Sequence, residues 1–220
     1  MFLLGVSGPT GSGKSTLGRI IASKARGQFL AEPFPKEALE AFQKEPAKNG
    51  SRLQRAFLMD KLSNYKATEK TACLVMDRTI AEDREVFLEM HYRLGFITDE
   101  QLPVIQALSH EVEAEIGLPD ALIYLTADEK VLRSRMISDG RPPWLIECLP
   151  SQISLYERFF TSISLPRVRI DSTHLELTDL EDIAQWIVET GPTSDAPFRK
   201  DVTVPRFDLQ WITGPRPELD

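Results

Sequence analysis

The sequence predicts an α/β fold in which helices cover both faces of a five-stranded parallel sheet. Short apolar runs alternate along the chain with longer segments whose apolar residues recur at helical spacing. A strand–helix–strand order gives right-handed crossovers between parallel strands. Because the carboxyl ends of parallel strands meet at one edge of the sheet, ligand-binding side chains are expected to gather there.

Five apolar runs fit buried strands, and the segments between them fit helices. Strands are expected at residues 2–7, 28–31, 72–76, 120–125 and 168–170. Helices are expected at residues 15–26, 38–42, 52–68, 86–94, 99–116, 129–137, 153–161 and 180–189. The polar residues 45–51 are expected to form a break between two helices. Residues 1–190 form the predicted domain, and the proline-rich residues 191–220 form a predicted C-terminal extension.

The composition narrows the class of protein. The 220 residues include 26 Lys and Arg against 33 Asp and Glu, a net charge of −7, which argues against a nucleic-acid partner. The apolar runs are shorter than the roughly 20 residues of a membrane span, and the first residues lack the charged start of a signal peptide. Cys73 and Cys148 are too few for a disulfide framework. The sequence thus predicts a soluble, cytoplasmic protein without a membrane or nucleic-acid partner.

A glycine-rich segment follows the first predicted strand and opens the first predicted helix. It matches the phosphate-binding pattern G-x-x-x-x-G-K-[ST] in the residues Gly8, Pro9, Thr10, Gly11, Ser12, Gly13, Lys14 and Ser15. Backbone N–H groups and the helix N-terminus are expected to bind phosphates, with Thr16 as a further nucleotide contact. Lys14 would reach the β- and γ-phosphates of ATP, and Ser15 would ligate Mg²⁺.

Charged residues follow the second and third predicted strands. Glu32 lies where a carboxylate can take the proton of an acceptor hydroxyl during phosphoryl transfer. Asp77 is a candidate metal ligand, and Arg78 can stabilise charge on the transferring phosphoryl group. Taken alone, Glu32 also fits a solvated turn, and Asp77 with Arg78 fits a surface ion pair.

Three arginines surround a predicted turn after the fourth strand. Arg133, Arg135 and Arg141 flank Asp139 and Gly140, and they are expected to form a lid over the phosphates, although a solvated helix end is an alternative. The D-x-x-G and N-K-x-D patterns of signalling GTPases are absent from the sequence. The motifs therefore predict a P-loop kinase fold that binds a small phosphorylated ligand.

Taken together, these motifs resemble the deoxynucleoside kinase family. The resemblance covers residues 2–141 and weakens toward residue 170. The glycine-rich loop alone is not specific to that family. The more specific evidence is the ordered combination of three segments: Ala31-Glu32-Pro33, Leu53-Gln54-Arg55-Ala56-Phe57-Leu58, and Asp77-Arg78-Thr79-Ile80-Ala81-Glu82-Asp83-Arg84-Glu85-Val86-Phe87.

The resemblance implies a role for each matching position. Glu32 would be the base that activates the 5′-hydroxyl of the sugar, and Arg78 would lie near that oxygen and the phosphates. Gln54 would make two hydrogen bonds to the nucleobase, and Phe87 would stack on it. Asp83 matches a position that is acidic in purine- and cytosine-preferring members. Further expected substrate contacts are Phe57 and Lys61, and the family's usual assembly implies a homodimer.

Several positions depart from the family's pattern. Lys61 stands where an arginine is frequent, and it keeps the charge but not the bidentate fork. Gln43 stands in place of a tyrosine that contacts the sugar 3′-hydroxyl, and Trp144 in place of a lid glutamate that does the same. Asp139 replaces one lid arginine. Either Gln43 and Glu147 take over the 3′-hydroxyl, or the acceptor differs in that part of the sugar.

The sequence therefore predicts an ATP·Mg²⁺-dependent kinase that phosphorylates the 5′-hydroxyl of a deoxynucleoside, with a purine or cytosine base. Two alternatives remain at this stage. A nucleoside monophosphate kinase would need extra cations on the acceptor side, and Arg52 and Arg55 are candidates for them. A nucleotide-binding regulatory protein without catalysis would be consistent with Asp139 and Trp144 in the lid.

Overall fold

Five parallel strands form the central sheet of the protein. The computed structural model describes residues 1–69, 71–191, 207 and 209–213. The strands are β1 (Phe2–Ser7), β2 (Gln28–Leu30), β3 (Cys73–Asp77), β4 (Ala121–Thr126) and β5 (Arg167–Asp171). Their spatial order is β2–β3–β1–β4–β5, and every pairing is parallel. The predicted five-stranded parallel sheet is confirmed, and each strand end lies within one residue of its expected place.

Helices connect the strands and follow the last one. They are α1 (Lys14–Lys24), α2 (Lys36–Lys44), α3 (Pro46–Ala67), α4 (Ile80–Glu82), α5 (Glu89–Arg93), α6 (Gln101–Ile116), α7 (Glu129–Ser138), α8 (Pro143–Glu147), α9 (Leu149–Ser162) and α10 (Leu177–Thr190). A π-helical segment (Asp83–Leu88) joins α4 to α5. Among the described residues, no helix is both long and apolar enough to cross a membrane.

The break expected at residues 45–51 is wrong. Only Glu45 separates α2 from α3, because α3 already begins at Pro46, and proline suits a first helical turn in which its missing N–H has no partner to lose. Gly50 then lets α3 approach Phe96, since a Cβ atom there would lie 2.2 Å from the carbonyl oxygen of Phe96. The polarity of this stretch marks the exposed first turn of a helix rather than a gap.

Other helical boundaries also differ from the prediction. The helix expected from residue 86 begins at Ile80, where the hydroxyl of Thr79 accepts a hydrogen bond from the backbone N–H of Glu82 and the carboxylate of Glu82 accepts one from the backbone N–H of Thr79. Such a reciprocal cap satisfies two N–H groups that a helix start leaves without partners. Helix α8 was not expected, and α9 begins at Leu149 rather than at residue 153.

Both faces of the sheet pack against helices. Successive residues of a strand point to opposite faces. Leu4 and Val6 accordingly lie in one core cluster with apolar residues of α1 and α10, whereas Leu3 lies in another with residues of α3 and α6. Tyr124 of β4 stacks on Phe160 of α9, with ring centroids 4.9 Å apart. The sheet is thus buried on both sides, and its polar chemistry is confined to its edges and ends.

The carboxyl ends of β1, β2 and β3 bring three predicted site segments together. Val6 pairs with Asp77 across the β1–β3 ladder, and the backbone N–H of Arg78 donates to the carbonyl oxygen of Val6 at 3.0 Å. Arg78 has a φ of 64°, in the left-handed region that residues other than glycine seldom adopt. Strand β3 therefore ends at Asp77, and the side chain of Arg78 lies beside Glu32 and the glycine-rich loop.

Residues 209–213 pack on the domain. The indole of Trp211 stacks on Trp186 of α10 with centroids 5.6 Å apart, and its Nε1 donates to the hydroxyl of Thr190 at 3.0 Å. Ile212 forms an antiparallel bridge with Arg167 of β5. Residues 192–206 of the predicted extension, Phe198 among them, lie outside the described residues. The division of the chain at residue 191 stays a prediction.

Trp211→Ala should lower the free energy of unfolding by about 2–3 kcal/mol. Large buried aromatics cost about 3–5 kcal/mol when truncated, and Trp211 is only partly buried. Chemical denaturation of the full chain measures the change. Leu118→Ala is the matched control, because Leu118 is 62% exposed and should change stability by less than about 0.5 kcal/mol. Equal stability of the two variants would show that residues 209–213 do not stabilise the domain.

Candidate active site

A cleft of about 820 Å³ opens at the carboxyl ends of the strands. Most of the site residues expected from the sequence line it: Thr10, Gly11, Ser12, Gly13, Lys14, Ser15, Thr16, Glu32, Gln54, Phe57, Asp77, Arg78, Asp83, Phe87, Arg135 and Arg141. Gly8, Pro9 and Lys61 are not part of the lining. Thr10, which lines the cleft, and Gln152 are 142 residues apart in sequence and are joined by a hydrogen bond. The cleft therefore depends on contacts between distant parts of the chain.

The glycine-rich loop has the conformation that its sequence suggests. Gly8, Gly11 and Gly13 all have positive φ, at 139°, 86° and 92°. A Cβ at Gly8 would lie 2.1 Å from the carbonyl oxygen of Leu125, so only glycine fits there. The ammonium of Lys14 donates to the carbonyl oxygen of Pro9 at 2.9 Å, and burial, followed by the charge of Arg78, lowers the pKa of Lys14 to about 8.

Arg78 joins the glycine-rich loop to the loop after β2. One guanidinium nitrogen donates to the carboxylate of Glu32, and the other donates to the hydroxyl of Thr10 at 3.2 Å. The guanidinium also lies over the ring of Phe87, 4.4 Å from its centroid. Burial alone would lower the pKa of Arg78, but nearby acidic groups, Glu32 first among them, outweigh burial and raise it. Arg78 is therefore a fixed cation in the middle of the cleft.

The hydroxyl of Ser15 donates to a carboxylate oxygen of Asp77. The other oxygen of Asp77 is buried without a hydrogen-bond partner. The described residues contain no group of three or more His, Cys, Asp or Glu side chains that would hold a metal ion by themselves. Mg²⁺ however is usually bound through one or two carboxylates together with substrate phosphates and water. Asp77 and Ser15 fit that mode of binding, with the unpartnered oxygen as the free ligand.

Lys61 and Asp83 form a buried ion pair at the inner wall of the cleft. The ammonium lies 2.5 Å from the carboxylate, and the side chains are 1% and 6% exposed. Burial raises the pKa of Asp83, and the charge of Lys61 opposes this rise. Asp83 lines the cleft, whereas Lys61 does not. Lys61, which the sequence suggested as a substrate contact, thus reaches the cleft through Asp83.

An aromatic cluster closes the end of the cleft at α2 and α3. It consists of Phe42, His91, Phe96 and Trp144, and the ring of His91 stacks on Phe42 with centroids 5.0 Å apart. Gln54 lies beside it, and its Nε2 donates to His91 Nδ1 at 3.0 Å. Burial lowers the pKa of His91 to about 4, so its imidazole is neutral near pH 7. Trp144 and Gln43 both line the cleft, whereas Glu147 does not.

The predicted lid arginines do not all face the cleft. Arg135 donates to the carbonyl oxygens of Gly11 at 3.3 Å and Ser172 at 2.8 Å, and it lines the cleft with Arg141. Arg133 instead donates to the carbonyl oxygen of Ile146 and the carboxylate of Glu129. Of the three arginines, Arg135 and Arg141 are therefore the candidates for contact with a nucleotide.

Sequence reasoning missed His91, Gln152 and Ser172. The amide oxygen of Gln152 accepts hydrogen bonds from the backbone N–H of Thr10 at 3.3 Å and from its hydroxyl at 3.1 Å. The hydroxyl of Ser172 donates to the carbonyl oxygen of Ser12 at 2.9 Å. Each of these residues forms a hydrogen bond with a predicted site residue in a distant part of the chain. No local sequence pattern identifies them.

Glu82 is a further buried acid that the sequence did not single out as functional. Its side chain is completely buried at the cap of α4, and one of its oxygens has no hydrogen-bond partner. Burial raises the pKa of Glu82 to about 7, against the opposing effects of its bond to Thr79 and of the charge of Arg78. The hydroxyl of Tyr156 is buried near this carboxyl group.

The order of the sheet, the glycine-rich loop and the cleft at the strand ends define a P-loop α/β fold. A family model described as deoxynucleoside kinase matches residues 4–146. The chain therefore belongs to the deoxynucleoside kinase family, and its reaction class is that of a nucleoside kinase. Comparison with curated proteins gives no match.

Solved structures of a deoxyadenosine kinase from M. mycoides share the fold. The form with bound dATP is 23% identical, has a TM-score of 0.70 and covers 84% of this chain and 97% of its own. The form with the products dCMP and a flexible dCDP is 22% identical, with a TM-score of 0.69 and the same coverage. The form with bound dCTP is 22% identical, with a TM-score of 0.70 and again the same coverage.

Lys61→Met should lower the free energy of unfolding by about 3–5 kcal/mol, because it leaves the carboxylate of Asp83 buried without its partner. Urea denaturation at pH 7 measures the loss. Lys66→Met is the matched control on the same helix. Lys66 pairs with Glu115 at 3.3 Å, but both side chains are more than half exposed, and such pairs contribute about 0–1 kcal/mol. A similar loss of unfolding free energy in both variants would show that the buried Lys61–Asp83 pair matters no more to stability than the exposed Lys66–Glu115 pair.

Proposed function

We propose that the protein transfers the γ-phosphate of ATP to the 5′-hydroxyl of a deoxynucleoside. The observation that carries the proposal is the contact of Arg78 with both Glu32 and Thr10. This contact places a carboxylate, a fixed cation and a phosphate-binding loop in one cleft. Phosphoryl transfer needs little else from a protein, since positioning and charge stabilisation supply most of the catalysis.

The acceptor side is assigned to Glu32 and its neighbours. Glu32 would accept the proton of the 5′-hydroxyl as that oxygen attacks the γ-phosphorus, and Arg78 would hold the carboxylate in place. The same guanidinium would stabilise charge on the transferring phosphoryl group. Phe87 lines the cleft directly beside Arg78, and we assign the stacking of the base to it, with Phe57 as a further wall.

The donor side is assigned to the glycine-rich loop. Its N–H groups and Lys14 would bind the β- and γ-phosphates, with Arg135 and Arg141 closing over them. We assign Mg²⁺ to Ser15 and Asp77, on the strength of their mutual contact and the unpartnered oxygen of Asp77. When bound, Mg²⁺ neutralises charge on the phosphates. A homodimer and a cytoplasmic location stay predictions.

The arrangement of cations disfavours a nucleoside monophosphate kinase. Arg52 and Arg55, which that alternative requires on the acceptor side, are both exposed, and neither lines the cleft. A regulatory protein without catalysis is disfavoured as well, since Lys14, Glu32 and Arg78 all line the cleft and Arg78 holds the carboxylate of Glu32. The proposed acceptor is therefore an unphosphorylated nucleoside.

Glu32→Gln should lower kcat by about 10²- to 10⁴-fold, because an amide cannot take the proton of the 5′-hydroxyl. The nucleoside dissociation constant should change little, since glutamine still offers Arg78 an oxygen. Steady-state kinetics and calorimetry measure the two quantities. Glu37→Gln, at an exposed position of α2, is the control and should keep full activity. Retention of more than about half of the activity by Glu32→Gln would rule out Glu32 as the base.

The acceptor base should be a purine or cytosine rather than thymine. The carboxylate of Asp83, held by Lys61, can accept a hydrogen bond from an exocyclic amine, whereas thymine offers an oxygen and a methyl group. A buried polar group without its partner costs about 1–3 kcal/mol, which corresponds to roughly 5- to 150-fold discrimination. Initial rates with the four deoxynucleosides at equal low concentration test this. Thymidine as the fastest substrate would contradict it.

A further inference from the structure

Gln54 and His91 form a buried, hydrogen-bonded pair in the wall of the cleft. Their side chains lie on α3 and α5, 37 residues apart in sequence, and each residue is 3% exposed. Gln54 Nε2 lies 3.0 Å from His91 Nδ1. Both residues line the cleft, so the pair stands where a ligand would meet it.

We propose that His91 is a positioning residue whose Nδ1 holds one N–H of Gln54 and thereby fixes which way the carboxamide faces the base. The inference rests on the proposed function, and it concerns the choice of base at the same site. An amide NH₂ group donates and has no acceptor capacity, so the facing Nδ1 must carry no proton. The proton of the neutral ring then lies on Nε2.

The surroundings of His91 keep its ring neutral. Its ring stacks on Phe42 at an interplanar angle of 11°, and the rings of Phe96 and Trp144 lie against it at centroid distances of 5.8 and 6.4 Å. This apolar setting disfavours an imidazolium ion, which agrees with the pKa of about 4 that burial gives to His91. Stacking also fixes the ring plane, so Nδ1 has a defined direction toward Gln54.

A fixed carboxamide reads the edge of a base. With one N–H held by His91, Gln54 offers its oxygen and its second N–H to the cleft. That pair is complementary to an exocyclic amine beside an unprotonated ring nitrogen, the pattern that adenine and cytosine share. Guanine, hypoxanthine and uracil present a carbonyl oxygen beside an N–H at the same edge, so the inference narrows the proposed purine to adenine. To bind them, the carboxamide would have to turn its oxygen toward the lone pair of Nδ1.

Pairs of nucleosides that differ only at this edge provide the test. We compare kcat/KM for deoxyadenosine against deoxyinosine, and for deoxycytidine against deoxyuridine. The wild-type protein should prefer the amine-bearing member by roughly tenfold or more, the range expected when a buried polar site meets a mismatched edge. His91→Phe keeps an aromatic ring against Phe42 but removes the acceptor, so the preference should fall at least threefold below that of the wild-type protein, while Asp83 keeps its own share of the discrimination.

Phe96→Leu is the matched control. It disturbs the same aromatic cluster, but it leaves Nδ1 and the stacking of His91 on Phe42 in place, and Phe96 itself does not line the cleft. Its preference should stay near that of the wild-type protein even where its stability falls. A purely structural role of His91 would instead give the same result for both variants.

A second measurement does not depend on turnover. The chain has three histidines, so ¹⁵N spectra of histidine-labelled wild-type protein resolve each ring, and the His91→Phe spectrum assigns His91. An unprotonated Nδ1 with a proton on Nε2 at pH 7 supports the proposal, and a protonated Nδ1 overturns it. A His91→Phe preference equal to that of the wild-type protein also overturns it. Wild-type protein that phosphorylates no nucleoside refutes the proposed function itself, and the role of His91 with it.

Discussion

The ion pair of Arg78 with Glu32 is the contact on which the rest of the site depends. It joins the ends of β2 and β3, and through Thr10 it also reaches the loop after β1. The price is a left-handed backbone at Arg78, which costs an ordinary residue about 1 kcal/mol or more. The backbone hydrogen bond from Arg78 to Val6 and the stacking on Phe87 hold the residue in that conformation. Without this turn the guanidinium would continue along the strand, away from the loop.

Buried charges around this contact balance one another. Lys14 and Arg78 lie near Glu32, Asp77 and Glu82, and the charges of this cluster contribute to the shifted pKa values of Lys14, Arg78 and Glu82. Burial raises the pKa of Glu82 to about 7, so this third acid carries its negative charge less readily than an exposed glutamate. Desolvated charges are stable only when they are paired and hydrogen-bonded. The cluster is thus held ready for polyanionic phosphates without a large uncompensated charge when they are absent.

The parts that the sequence predicted well are those set by short segments. Strand ends and the glycine-rich loop are local patterns, and a parallel sheet brings strand ends to one edge, so Lys14, Glu32 and Asp77 were expected to meet. The contacts that fix the loop are different in kind. Gln152 reaches Thr10 across 142 residues, and such contacts depend on the packing of α9 against the sheet. The misplaced break at residues 45–51 has a similar cause, since polarity alone does not distinguish a gap from an exposed helical turn.

The glycine-rich loop and the part of the cleft around Gln54 and Asp83 consequently differ in how well the sequence predicts them. Phosphate is recognised by backbone groups and one lysine, and this requirement leaves a recognisable pattern of glycines. A base is recognised by a donor and an acceptor with fixed directions, and the residues that fix them lie behind the wall. Asp83 is held by Lys61 from α3, and Gln54 is held by His91 from α5. The sequence indicated Lys61 as a substrate contact rather than as the partner of Asp83, and it did not indicate His91, because both supporting contacts depend on packing that only the folded chain reveals.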